Sequence, residues 1–121
     1  MKFKTFKRAN PLKRSEVKFY ARPNYIGTIK IDTLANEISK MCTLSTADVY
    51  AVIESLLLIF PRFLTNSMKI KLGDFGIFKI SFSSLGKKKA SDIKTKDIRD
   101  VKVLFLPGKK LKRALKDMKF Q

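Results

Sequence analysis

Ile70-Lys71-Leu72-Gly73-Asp74-Phe75-Gly76-Ile77-Phe78 is the stretch on which the fold of this chain turns. Ile70 and Leu72 alternate with Lys69 and Lys71, the period of two expected of a half-buried strand. Gly73-Asp74 is a two-residue turn signal whose backbone twist suits a hairpin. Phe78, Ile80 and Phe82 then alternate with Lys79, Ser81 and Ser83 as the returning strand. Gly76 lies between Phe75 and Phe78, where a missing side chain predicts a bulge or a close backbone approach.

Helical patterning precedes this hairpin. Leu34, Ala35, Ile38 and Met41 share one face of a first helix, with Asp32 or Thr33 as its expected N-cap. Ser45-Thr46-Ala47-Asp48 has capping-box spacing and opens a longer second helix. Val49, Val52, Ile53, Leu56, Leu57, Phe60, Phe63 and Leu64 give that helix a wide apolar face, and Leu56 to Phe60 is apolar all round. Such a turn must be covered from more than one direction, and a second copy of the chain is an obvious cover. Pro61 predicts a kink or break, and Asn66 a left-handed terminator.

After the hairpin, Ser83 to Ser91 is small, polar and cationic. Val101 to Phe105 alternates as a third strand, Pro107-Gly108 stops it, and residues 109–118 form a short helix with Leu111, Leu115 and Met118 inward. Before the first helix, residues 1–28 show no sustained helical period, and Val17 to Ala21 is a candidate short strand. This segment is either a basic arm with aromatic anchors or a strand or tail packed on the body.

The net charge is +17, from 27 Lys and Arg against 10 Asp and Glu in 121 residues. One domain with a modest core fits that length. Residues 1–28 carry eight basic residues against Glu16, residues 29–85 six against five acidic, and residues 86–121 thirteen against four. A nearly neutral centre is thus flanked by two cationic segments, which attract polyanions, nucleic acid before an anionic membrane surface. There is no His and one Cys, so His-based acid–base catalysis and His or Cys metal clusters are excluded. No phosphate-cradling glycine loop or nucleophile elbow occurs either, so no enzyme activity and no cofactor are expected. Asp92, Asp97 and Asp100, interleaved with Lys94, Lys96 and Arg99, are expected to be solvated, and Cys42 a small buried side chain at a helix end. No apolar run reaches the ~18 residues of a membrane span, and the first residues lack a signal-peptide core, so a cytoplasmic protein is expected.

Helix, helix, strand, hairpin strand, basic segment, strand and basic helix, with these residues, resemble the HU/IHF family of bacterial histone-like DNA-binding proteins. Gly73-Asp74-Phe75-Gly76-Ile77-Phe78 is similar to that family's glycine-phenylalanine-glycine-x-phenylalanine hairpin. Phe105-Leu106-Pro107-Gly108-Lys109-Lys110-Leu111-Lys112 is similar to its phenylalanine-x-proline-glycine-lysine segment, and Leu44-Ser45-x-x-Asp48 is a weaker match. The matching stretches, Ile31 to about Phe82 and Val101 to Lys116, make up roughly two-thirds of the chain. The resemblance implies an α+β intertwined dimer with two helices, a three-stranded antiparallel sheet carrying a β-arm (about 83–100) and a short C-terminal helix. It implies that Phe75, Phe78 and Phe105 interlock at the dimer core, to which the sequence adds Leu56 and Phe60. It implies that the arms embrace the minor groove and that Lys109 and Lys110 contact phosphates below them.

Two departures stand out. The family's arm tip carries an arginine-asparagine-proline run whose proline wedges between base pairs. Here residues 83–100 contain no Pro, no Asn and only Arg99 as arginine, and the arm is about two residues shorter. The 28-residue N-terminal extension, which short family members lack, is similar to an extended HU-like subgroup frequent in Bacteroidetes. The chain therefore divides into an extension, 1–28, and a DNA-binding domain, 29–121.

The expected function is architectural, largely sequence-independent binding of double-stranded DNA by a nucleoid protein, a homodimer with no small-molecule substrate and no membrane partner. Lys87, Lys88, Lys89, Lys94, Lys96 and Arg99 on the arm, and Lys109, Lys110, Lys112 and Arg113 on the last helix, are its candidate phosphate contacts. An RNA-binding basic protein and a protein-interaction module that keeps the fold stand as alternatives.

Overall fold

The computed structural model describes residues 1–121. Strands β1 (Phe3–Ala9) and β2 (Val17–Pro23) form a two-stranded antiparallel ribbon of their own. Helices α1 (Ile31–Ser39) and α2 (Thr46–Leu64) follow and pack on each other. Strands β3 (Ile70–Lys71), β4 (Gly76–Ser84) and β5 (Ile98–Pro107) make a three-stranded antiparallel sheet in sequence order, and α3 (Lys109–Lys116) follows directly. The molecule is α+β, as the patterning predicts.

The hairpin turns where the sequence places it. Ile70 pairs with Phe78 and Lys71 with Ile77, and the Phe75 N–H donates to the Leu72 carbonyl at 2.9 Å around Gly73-Asp74. Gly73 takes φ +50°, a left-handed conformation that glycine adopts without the cost a Cβ brings. Gly76 has φ +149°, and a Cβ there would run into the Leu106 carbonyl and the Phe105 ring, so the expected close approach is present.

Helix ends differ in part from expectation. Ser45 caps α2, accepting from the Asp48 N–H at 3.1 Å. α1 begins one residue before Asp32, with Lys30 at its N-cap and no side-chain cap, while Asp32 faces the positive end of the helix dipole. α2 runs through Pro61 to Leu64 without a break. A proline removes one N–H from the ladder, and the surrounding turns hold the helix across that gap. The left-handed residue beyond it is Ser67, φ 65°, rather than Asn66. Cys42 is exposed in the α1–α2 connection, not buried, because α1 ends before it at Ser39.

The β-arm is shorter and more compact than a long two-stranded ribbon. Pairing of β4 with β5 ends at Ser84 with Ile98. The intervening residues fold back through two single 3₁₀ turns, 90–92 and 95–97. The register slips between Ser81 and Ser83, leaving one extra residue on β5 at Asp100, whose φ of 56° suits an aspartate bulge. The Ser83 hydroxyl donates to the Asp100 carboxylate at 3.0 Å and fixes it.

One chain encloses very little. Only Ala35, Val49, Leu64, Gly76 and Asp97 are buried. The accessible surface is 10854 Å², against about 6,700 Å² for a compact monomer of 13.9 kDa. Leu58 is 77% exposed and Phe75 50%, and Leu115 and Met118, expected inward, are also uncovered.

Candidate nucleic-acid interface

The five residues expected at a dimer core gather on one side of the molecule. α2 brings Phe60 over β4, where its ring meets Phe78 edge-on at 5.2 Å. Phe78 pairs across the sheet with Phe105, rings stacked at 4.7 Å, and Phe75 completes the cluster 5.5 Å from Phe105. Leu56 lies one helical turn before Phe60. Leu56, Phe75 and Phe105 remain exposed on the chain alone.

The hairpin also sets the start of α3. The Gly108 N–H donates to the Phe75 carbonyl at 2.9 Å, and a Cβ on Gly108 would occupy the place of the Asp74 carbonyl. The Pro107-Gly108 pair therefore ends β5 and locks the N-terminus of α3 against the β3–β4 turn. Lys109, Lys110, Lys112 and Arg113 all project from this helix into solvent. Leu111, half-buried, faces the turn beside Leu72 and Phe75. No acidic residue sits in the first turn of α3, and the helix has no side-chain cap. Lys109 and Lys110 thus stand at the positive end of the helix dipole, an unfavourable place for cations unless an anion approaches.

The second basic group lies on the arm loop. Lys88, Lys89, Lys94 and Lys96 are exposed on it, and Arg99 is exposed at the start of β5. Asp97 organises the loop and is only 2% exposed, contrary to the solvated aspartate expected. Its carboxylate accepts from the Lys94 N–H at 2.9 Å and lies 3.8 Å from the Lys87 ammonium, while its carbonyl accepts from the Leu85 N–H at 2.9 Å. Lys87 is thereby a partner of Asp97, whereas Lys88 and Lys89 remain free of carboxylates. Asp97 carried no signal in the sequence beyond its position among lysines. Sequence patterning also missed β1, whose Phe3, Phe6 and Ala9 follow no period of two.

Of the 27 Lys and Arg, Lys40 and Lys87 alone have a carboxylate within 4 Å. No helix is long and apolar enough to cross a membrane.

Two helices on a three-stranded sheet, with basic residues concentrated on an arm loop and a glycine-locked terminal helix, define an HU-type domain. The whole chain, residues 1–121, matches the family described as an HU domain fused to a winged helix-turn-helix, Ig or glycine-rich motif, and it belongs to that family. No curated protein matches it. Among solved structures, the chain is similar to one from Bacteroides vulgatus ATCC 8482, described provisionally as a bacterial DNA-binding protein. That likeness has a TM-score of 0.62 at 14% identity and is a likeness of fold. It covers 99% of this chain and 47% of the other, so this chain spans about half the length of that protein.

Proposed function

We propose that this chain binds double-stranded DNA as an architectural, largely sequence-independent protein of the nucleoid, and that it does so as a homodimer. The observation that carries the reading is the unpaired charge. Nearly every Lys and Arg lacks a carboxylate partner, and the densest groups lie on the arm loop and on α3. Phosphates supply the missing counter-charge, and release of their condensed cations supplies affinity without sequence readout. Lys109 and Lys110 support this reading further, because the helix terminus beneath them attracts the same anion. The description of the Bacteroides vulgatus protein agrees with it.

The dimer rests on the uncovered surface. The chain exposes roughly 4,000 Å² more than a compact monomer of its mass. Covering even half of that excess on each of two copies would make an interface of the large, permanent class. The half-covered Phe75, Phe78, Phe105, Phe60 and Leu56 cluster is the surface a second copy fits. In this reading residues 29–121 form the dimerising DNA-binding domain and residues 1–28 an appendage.

The test is fluorescence anisotropy of a labelled ~25 base-pair duplex at two salt concentrations, with duplex and RNA competitors. Random-sequence duplex should compete as well as the labelled one, and affinity should fall by orders of magnitude between 50 and 200 mM salt. Preferential displacement by RNA, or no binding at low salt, would overturn the proposal.

A further inference from the structure

The N-terminal ribbon has two unlike faces. Cross-strand partners share a face. Phe3 with Pro23, Thr5 with Ala21, Lys7 with Phe19 and Ala9 with Val17 make one face, apolar but for Lys7 and Thr5. Lys4 with Arg22, Phe6 with Tyr20 and Arg8 with Lys18 make the other. On that second face two pairs of like charges stand directly opposite each other, on either side of an aromatic pair. Like charges in that relation destabilise a sheet. No carboxylate relieves them: Glu16, the one acid of residues 1–28, is held by the Asn10 side-chain amide at 3.3 Å and lies beyond salt-bridge distance of any cation.

The aromatic pair is already engaged. The Phe6 ring lies 5.9 Å from Tyr20, and the Arg22 guanidinium sits 5.1 Å above its centre. Arg22 and Tyr20 thus take up the Phe6 ring, and the cations on either side of it are the groups this face offers to phosphates. The two charge pairs are four residues apart, about 13 Å along the strand. A major groove is about 12 Å wide and admits a two-stranded ribbon.

The start of the ribbon is tied to the tail that follows α3. Apart from the linker at residue 24 onward, its backbone hydrogen bonds to the rest of the chain go to the tail after α3. The Phe3 N–H donates to the Gln121 carbonyl at 3.2 Å, and the Gln121 N–H donates to the Met1 carbonyl at 3.1 Å. The two ends of the chain therefore meet, with Met1 and Phe3 against Lys119 and Gln121.

From these observations we infer that Lys4, Arg8, Lys18 and Arg22 form a second phosphate-binding surface, which engages the backbone of the same DNA duplex as α3. The inference rests on the DNA-binding reading above. It assigns the extension a function of its own: contact extended from the domain along the duplex, with the repulsion within the ribbon relieved on binding.

The experiment compares salt dependence of duplex binding by the full chain and by three variants. The first carries Lys4→Gln, Arg8→Gln and Lys18→Gln, and keeps Arg22 because it covers Phe6. The slope of log K against log salt should fall by up to about 2.7. The variant removes like-charge pairs, so its ribbon should be no less stable than the wild type. The second, Lys4→Arg, Arg8→Lys and Lys18→Arg, should keep the slope. The third, Lys7→Gln, removes one charge from the opposite face and should leave the slope unchanged. An unchanged slope in the first variant would overturn the inference while leaving DNA binding intact. So would an equal loss per charge from Lys7→Gln, which would mean diffuse charge rather than a face, or a loss seen with RNA and not with the duplex. Failure of the wild type to bind duplex would instead overturn the reading on which the inference rests.

Discussion

Gly108 and Asp74 meet backbone to backbone, with the Asp74 carbonyl occupying the space where a Gly108 side chain would begin. Thirty-four positions apart in sequence, they couple the β3–β4 turn to the start of α3. Gly108→Ala should cost about 1–3 kcal/mol or more, because the obstruction is rigid backbone. Gly73→Ala, where space is open but φ is +50°, should cost about 1–2 kcal/mol of conformational strain alone. Urea denaturation of both variants checks the order. In DNA binding only Gly108→Ala should also lose the contribution of α3.

Phe78 is the ring that touches Phe60, Phe75 and Phe105. Phe78→Ala should cost about 3–5 kcal/mol and prevent assembly of the proposed dimer. Sedimentation at micromolar concentration should show the wild type at twice the chain mass. A folded wild-type monomer would remove the dimer from the proposal.

The arm loop and α3 should contribute separately to salt dependence. Replacing Lys87, Lys88 and Lys89 with Ala should lower the slope by up to about 2.7, and Lys109→Ala with Lys110→Ala by up to about 1.8. Lys87 should contribute least of the five, since it already faces Asp97. Titrations across a salt series measure both.

Asp97→Ala leaves the Lys94 N–H without its acceptor and should cost about 1–3 kcal/mol locally. Residues 85–97 should then be cut by trypsin faster than in the wild type. Asp97→Asn keeps an acceptor oxygen and should retain most of the protection.

DNA should be curved gently rather than kinked. Leu85 and Ile93 are the large apolar side chains on the arm loop, both partly exposed, and neither has the fixed shape of a proline. Wedging relatives offset a few kcal/mol of unstacking with added contact. Smooth bending of a ~20–30 base-pair site costs on the order of 1–6 kcal/mol, which phosphate contacts can supply. End-to-end fluorescence transfer on intact and nicked duplexes reports this. A sharp kink lost in Leu85→Ala or Ile93→Ala would establish a wedge.

The hairpin, both helices and the third strand were legible because each repeats a simple physical period. Ile70 and Leu72 alternate, Val49 to Leu64 follow a helical stripe, and Gly73 and Gly76 mark backbone that other residues resist. The basic character of the arm loop and α3 was equally plain from composition. The ribbon was half legible: Val17 to Ala21 suggested a strand, but β1 is held by pairing and by Arg22 and Tyr20 around Phe6, contacts that no local pattern carries. Asp97 was illegible for the opposite reason. An aspartate among lysines is usually solvated, and its burial depends on a loop closing around it through the Lys94 and Leu85 amides. The start of α1 at Ile31 shows a further limit, since a helix can begin without the cap its sequence offers one residue later.

The large uncovered surface of the single chain has a consequence for how the protein persists at all. With so few side chains enclosed within one copy, folding and partner capture become a single equilibrium in the proposed dimer. Mass action then governs its lifetime: dilution lowers the melting temperature, and duplex DNA, by bringing copies together and binding only the folded form, raises it. The amount of chain made would decide what fraction of it is folded.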